Sequence, residues 1–236
     1  MVGSIAIELK RPPIRKHRLQ DMSLDHYVAQ SVLSFSDVAR DDVGKGPALS
    51  VLLQQNDVLG FLCKAIALRK TILISGGTSS GKTTLLNALL KEIPQHERVI
   101  AIEDTPEIRL SVANSLGLVA VAGDQGEAKV TSDDLMRASL RMRLERLIVR
   151  ELRGRETVTF LRAINTGDPG SISTVHANSA QGALEQIAFM CMQAGLGLGR
   201  HETIDYARSM IDVIIQLDRQ SGHRTISKVE LIDSAD

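Results

Sequence analysis

From position 70 onward the chain alternates short apolar runs with longer segments whose apolar residues recur at helical spacing. That alternation is the pattern of a mostly parallel sheet with crossover helices, so the expected class is α/β. Strands are expected over 71–75, 99–102, 147–149, 172–175 and 213–217, and helices over 82–92 (stopped by Pro94), 132–143, 156–166 and 180–194. Gln220-Ser221-Gly222-His223 reads as a hairpin turn leading to a last strand over 226–231.

The first 68 residues follow a different pattern. Ile5-Ala6-Ile7-Glu8-Leu9 reads as a short strand, and Lys10-Arg11-Pro12-Pro13-Ile14-Arg15-Lys16-His17-Arg18 as a linker, since no helix contains a Pro-Pro pair. The basic run is either a phosphate or membrane contact or a solvated linker. Short amphipathic helices fill 23–68, the first capped by Ser23, with Gly44-Lys45-Gly46-Pro47 as a break before 49–68. The domain division expected is therefore 1–22 as a tail and linker, and 23–236 as the main domain.

Composition narrows the function. With 236 residues and 43% hydrophobic content the chain can bury a substantial core. Its 28 basic and 28 acidic residues cancel, so no global field recruits nucleic acid, and no sequence-specific nucleic acid is expected as a partner. Trp is absent, with 2 Tyr and 4 Phe, which leaves little for base-stacking platforms. Cys63 and Cys191 are far apart in apolar surroundings and are expected to be reduced core residues. No apolar run reaches transmembrane length, so a cytoplasmic protein that docks on a membrane is expected.

Gly76-Gly77-Thr78-Ser79-Ser80-Gly81-Lys82-Thr83 has the P-loop spacing and lies between an apolar strand and a helix that begins Thr83-Thr84. In such a loop the backbone N–H groups wrap phosphates, the lysine reaches the β- and γ-phosphates, and the threonine hydroxyl ligates Mg²⁺. ATP and Mg²⁺ are the cofactors this implies, with Gly76, Gly77, Thr78, Ser79, Ser80, Gly81, Lys82, Thr83 and Thr84 as binding residues. Three other strands end in useful chemistry, and ligands of parallel sheets bind beyond those carboxyl ends. One delivers Glu103 and Asp104, acids able to orient or deprotonate water, to hold Mg²⁺ through water, or simply to cap a helix. Another delivers Glu151 after Arg150, either an acid near the metal that holds it through water or a salt-bridging surface residue. The third delivers His176, structural or γ-phosphate-sensing, ahead of Asn178 and Ser179 as helix caps. Arg137, Arg141, Arg143, Arg146, Arg150, Arg153 and Arg155 crowd one segment, and two or three of them are expected to face a nucleotide, some across a subunit boundary. A small-molecule kinase shares the loop, but no Arg-rich lid follows the third strand.

With those residues in place the chain resembles the secretion traffic ATPases, the motors of type II secretion, type IV pili and type IV secretion. Ile74-Ser75-Gly76-Gly77-Thr78 with Gly81-Lys82-Thr83-Thr84 resembles their Walker A, and Ile102-Glu103-Asp104-Thr105-Pro106-Glu107 their Asp box. Leu140-Arg141-Met142-Arg143 through Glu151-Leu152-Arg153-Gly154 resembles the Walker B region, and Asn165-Thr166-Gly167 through His176-Ala177-Asn178-Ser179 the His box. Leu-Arg-Met-Arg and His-Ala-Asn-Ser are most like the type IV secretion and conjugation branch. The resemblance implies a RecA-like P-loop NTPase domain and a homohexameric ATPase energising pilus assembly or substrate transfer. It also implies partners among other secretion-system components and a place on the cytoplasmic face of the inner membrane. By the same resemblance Glu103 activates water, Glu151 is the Walker B acid, His176 relays nucleotide state, and Arg141 and Arg143 stabilise the transition state. Three positions depart from the family pattern: Leu144-Glu145 replaces Pro-Asp, and Arg150 replaces a small residue before Glu151. A cation there either pairs with Glu151, dulling catalysis, or points outward. Residues 1–22 resemble the tail of the family's N-terminal domain, so slower hydrolysis than in a complete chain is expected. An ATP-binding assembly subunit with weak turnover, or a type II secretion or pilus ATPase, is the alternative.

Overall fold

A computed structural model describes residues 48–121, 130–167, 169–220 and 223–232. The strand and linker expected over 1–22, the helix capped by Ser23, the break over 44–47 and the centre of the hairpin turn at 221–222 lie outside the described residues.

Two helices come first, α1 (Leu49–Gln54) and α2 (Val58–Ala67). They divide the apolar segment 49–68: Asn56 turns the chain at φ 58, and Asp57 caps α2 by accepting from Gly60 N at 2.8 Å. Then follow β1 (Ile72–Gly76), α3 (Lys82–Leu90), β2 (Val99–Glu103), β3 (Ser115–Val119), α4 (Ser132–Ser139), β4 (Arg146–Val149) and α5 (Glu156–Asn165). The chain continues through β5 (Ile172–His176), α6 (Ala180–Gln193), α7 (Arg200–Met210), β6 (Val213–Gln220) and β7 (His223–Leu231).

The seven strands form one sheet in the order β3-β2-β4-β5-β1-β6-β7. Every pairing is parallel except β6 with β7, which is antiparallel as the hairpin signal predicts. Parallel strands are covered on both faces, which is why they read as continuous apolar runs. Ile72 and Ile74 of β1 point into one core with α1, α2 and α3, while Leu73 points into the other with α4, α5, α6 and α7. The α/β architecture is thus the expected one.

Two elements escape the periodicity. β3 is an edge strand, Ser-Leu-Gly-Leu-Val, in which only Leu118 is buried, so its pattern is too weak to register. α7 is mostly polar and inserts only Thr203, Ile204 and Ala207. Helix α4 ends at Ser139, short of the expected Arg143: Arg141 N turns to Ala138 O and Met142 N to Ser139 O, three residues back, and Arg143 at φ 52 then redirects the chain toward β4. Cys191 is buried, and burial pushes its thiol up to about 11, whereas Cys63 is only half-buried, with Sγ 3.9 Å from Glu92 Oε2.

One buried ion pair holds the amino-terminal edge of the sheet. The first residue of β4, Arg146, is fully buried, and its guanidinium makes a bidentate pair with Glu97, the residue leading into β2. Arg146 Nη2 also donates to Ile66 O of α2 at 2.7 Å, and Nη1 to Gly170 O before β5 at 3.4 Å. Gly170 has φ +83, and any Cβ there would approach Arg146 Nη1 to 2.9 Å, so glycine is required. Burial by itself pushes the Glu97 carboxyl up, but the hydrogen bond and charge of Arg146 hold it below its ordinary 4.5.

A buried charge deprived of its partner costs about 3–5 kcal/mol, whereas an apolar pair of similar volume is close to neutral. Arg146→Met should therefore destabilise by about that amount in urea unfolding. Adding Glu97→Met should recover most of the loss, and equal stability of the single and double variants would contradict this. Because Glu97 is depressed in the folded state, the pair's contribution is present above about pH 4.5 and lost as the pH falls through the folded value.

Candidate phosphate-binding site

β1 runs out at Gly76, level with His176 of β5 on one side and Leu217 of β6 on the other. The loop from Gly76 to Gly81 then turns tightly over the sheet's carboxyl edge. A side chain at Gly76 would collide with Ser80 Oγ and approach Leu217 O to 3.0 Å, so the loop closes on this edge only with glycine there. Ser79 (φ 60) and Gly81 (φ 99) take left-handed conformations, and Ser80 N donates to Gly77 O at 3.3 Å within the turn they make. Gly81 caps α3, and Lys82 opens it. Lys82 Nζ folds back onto the loop, donating to Gly76 O at 2.8 Å and Gly77 O at 3.0 Å. Ser80 Oγ is buried and has no hydrogen-bond partner among the described residues.

This loop walls a cavity of about 380 Å³, with residues Thr78 to Thr84 on one side and Glu107, Arg150, Glu151, Arg153, Thr174, His176 and Arg224 around the rest. A second cavity, about 140 Å³, adjoins it through the shared walls Arg150, Glu151 and Arg153 and is lined also by Glu103, Asp104 and Ser132. Glu151 is therefore beside Lys82, as the strand-end pattern predicts, and Thr83 and His176 line the same space.

Arg150 points away from Glu151. It pairs with Asp104 and, at 3.0 Å, with Glu107, so the cation before Glu151 serves the acidic turn that follows β2. Arg153 is the residue that engages Glu151, donating through Nε at 2.9 Å and Nη2 at 2.5 Å, and it reaches Asp104 through Nη1 at 2.7 Å. Glu107, Arg150, Asp104, Arg153 and Glu151 thus form one ionic chain along the cavity. Burial pushes the Asp104 carboxyl up, but the charges of Arg150 and Arg153 outweigh it and hold it below its ordinary value. Burial also lowers Lys82, the Glu151 charge opposes that, and Arg153 and Arg150 reinforce it; the net direction is down.

Glu103 sits elsewhere. Its side chain is buried, Oε2 accepts from Glu107 N at 2.7 Å and Ile108 N at 2.9 Å, and it lines only the smaller cavity. It holds the turn that presents Asp104 and Glu107. Burial raises its carboxyl above the ordinary 4.5, against the two backbone hydrogen bonds and Arg150, which pull it down.

Of the seven crowded arginines, two, Arg150 and Arg153, line the cavity. Arg146 is in the buried pair, Arg137 pairs with Asp133 at 2.8 Å, and Arg155 is exposed. Arg141 and Arg143 are exposed in the turn that precedes β4, at the edge opposite the P-loop, so the chain's own fold does not bring them to the cavity. Ser179 caps α6 as expected, accepting from Gly182 N at 2.9 Å. Asn87 and Arg224 belong to the site without having been singled out. Asn87 is a buried polar residue in an otherwise apolar turn of α3, a signal in itself; it donates to Glu107 O at 3.0 Å and accepts from Arg109 N at 2.8 Å. Arg224 arrives only through the pairing of β7 with β6, which local sequence does not display.

Residues 50–228 match the family model described as "Type II/IV secretion system protein". The type IV secretion system protein VirB11 of Bartonella quintana is 39% identical over 184 residues, 77% of this chain and 52% of that protein. PtlH of Bordetella pertussis is 42% identical over 166 residues, 69% and 49% of the two chains. The crystal structure of the VirB11 ATPase from the Brucella suis type IV secretion system, in complex with sulphate, superposes with a TM-score of 0.72 at 31% identity, covering 92% of this chain and 65% of that one. The chain spans about half the length of the curated relatives it matches.

The raised Glu103 carboxyl has a stability signature. Its folded-state proton affinity exceeds the unfolded one, so its contribution is complete below about pH 4.5 and is lost as the pH rises through the folded value. Gln keeps the oxygen that accepts both N–H groups and mimics the protonated acid. Glu103→Gln should thus gain urea stability relative to the unaltered chain between pH 4 and pH 7; a difference that is flat, or that falls with pH, would contradict it.

Proposed function

Because the chain belongs to the type II/IV secretion system protein family, we propose that it is the ATP-hydrolysing part of a type IV secretion motor, working on MgATP at the carboxyl edge of its sheet. The observation that carries this is that the P-loop lysine, Lys82, and the strand-end acid, Glu151, face one cavity. Phosphate oxygens replace the Gly76 and Gly77 carbonyls as partners of Lys82, and the loop N–H groups wrap them. The Brucella suis relative binds sulphate, an anion of phosphate's shape. Gly77 meets no atom within 4 Å of where a Cβ would stand, which leaves the loop open to a ligand.

Water attacks the γ-phosphorus, the bond to the bridging oxygen breaks to leave ADP and phosphate, and the water's proton passes to the Glu151 carboxylate. We assign that role to Glu151 in place of Glu103, whose acceptor oxygen is committed to the turn. Of the two cavity arginines, the exposed Arg153 offsets charge on the transferred group, while Arg150 stays with Asp104 and Glu107. We assign γ-phosphate sensing to His176, which is level with Gly76 and lines the same cavity. Mg²⁺ takes much of its shell from substrate phosphates and water, so it asks few ligands of the chain. Thr83, with Glu151 through water, would hold it, and when bound it neutralises phosphate charge.

Arg141 and Arg143 enter the mechanism only from a neighbouring copy, which a homohexameric ring supplies. Among the described residues no helix is long and apolar enough to cross a membrane. As part of a type IV secretion motor, the chain meets the inner membrane from the cytoplasm through other secretion-system components, and energises pilus assembly or substrate transfer.

Steady-state phosphate release from MgATP, run beside mass measurement with and without nucleotide, tests this. Turnover should fall about a hundredfold or more in Lys82→Ala, and the mass should correspond to six copies. Release that survives Lys82→Ala, or a monomer that persists with ATP, would overturn the proposal.

A further inference from the structure

The β6–β7 hairpin touches the P-loop at two places. Leu217 O of β6 packs beneath Gly76, and Arg224 of β7 reaches across to donate from Nε to Ser79 O at 3.0 Å. Ser79 is the one P-loop residue, among those described, that takes a left-handed conformation without being glycine. Such a conformation is strained for a side-chain-bearing residue and persists only where the surroundings enforce it. The contact that Arg224 makes falls on that same residue's carbonyl. A guanidinium bound there fixes the peptide between Ser79 and Ser80, whose N–H donates to Gly77 O at 3.3 Å, and so holds the turn of the loop that walls the cavity Arg224 also lines.

Resting on the ATP site proposed above, we infer that Arg224 is a positioning residue for nucleotide binding, which pre-organises the strained P-loop through the Ser79 carbonyl so that the β6–β7 hairpin and the phosphate cradle act as one unit. Its effect is on the affinity of the loop for phosphate, present with ADP as well as ATP, and does not extend to the transfer step. Lys at this position can still donate to a carbonyl, though without the planar fork. Glycine in place of Ser79 adopts the left-handed conformation without strain, so it makes the loop less dependent on the clasp.

The test is ADP binding by isothermal titration, with thermal unfolding as a check on folding, for the unaltered chain, Arg224→Ala, Arg224→Lys, Ser79→Gly and the Arg224→Ala/Ser79→Gly pair. Loss of one charge-assisted hydrogen bond predicts about a tenfold weaker ADP affinity in Arg224→Ala. Arg224→Lys should recover most of it, kcat for ATP at saturation should change less than twofold, and the loss caused by removing Arg224 should be smaller in the Ser79→Gly background. ADP affinity unchanged in Arg224→Ala overturns the inference and leaves the ATP site standing. So does a defect of the same size with and without the Ser79→Gly substitution, or one confined to kcat. A chain that binds no ADP at all overturns the site and the inference together.

Discussion

The parallel register of β4, β5 and β1 is the constraint on which the rest of this structure depends. Val149 pairs with Ser173, and Gly76 with His176, so the chemistry that follows each strand emerges at one edge. Thr174 Oγ1 donates to Arg150 O at 2.7 Å and Leu152 N to Thr174 O at 2.9 Å, extending the ladder past the last paired residue and fixing Glu151 against the P-loop. The opposite edge is held by Arg146, which ties the segments leading into β2, β4 and β5 to the end of α2. A charged latch at the amino edge costs desolvation that hydrophobic packing would not, but it joins four segments at one point.

At the carboxyl edge, electrostatics decides which groups are at hand for a phosphate. Arg150 is committed to Asp104 and Glu107, so the departure from the family pattern beside Glu151 does not quench that acid. Arg153 occupies Glu151 through Nε and Nη2, in a pair whose guanidinium is 58% exposed and whose carboxylate is 15% exposed, so an anionic ligand competes for the guanidinium from its open side. Lys82, partly desolvated and resting on two carbonyls, is likewise in contacts that a phosphate replaces with stronger ones.

Strand and helix positions in the parallel sheet were readable from the chain because buried parallel strands are uniformly apolar and the crossover helices carry regular stripes. β3 and α7 were not, since an edge strand and a surface helix bury too little to leave a pattern. In the site, Lys82, Thr83, Glu151 and His176 followed from the P-loop and the strand-end rule, which need only local sequence. The partners of Arg150 and Arg153 did not, because which carboxylate a guanidinium meets depends on how β2 and β4 lie side by side. Glu103 shows the same limit: its place at a strand end was plain, but its burial and its two backbone partners come from the turn at 103–108. Arg141 and Arg143 look alike in sequence to the arginines that line the cavity and lie at the other edge of the sheet.

The claim that Lys82 binds the phosphates while Glu151 takes the proton from water separates binding from chemistry. Single-turnover hydrolysis of γ-labelled ATP by Glu151→Gln measures that separation most directly. The account predicts that the variant binds ATP about as tightly as the unaltered chain but releases labelled phosphate at least about a hundredfold more slowly. Release at the unaltered rate would contradict it.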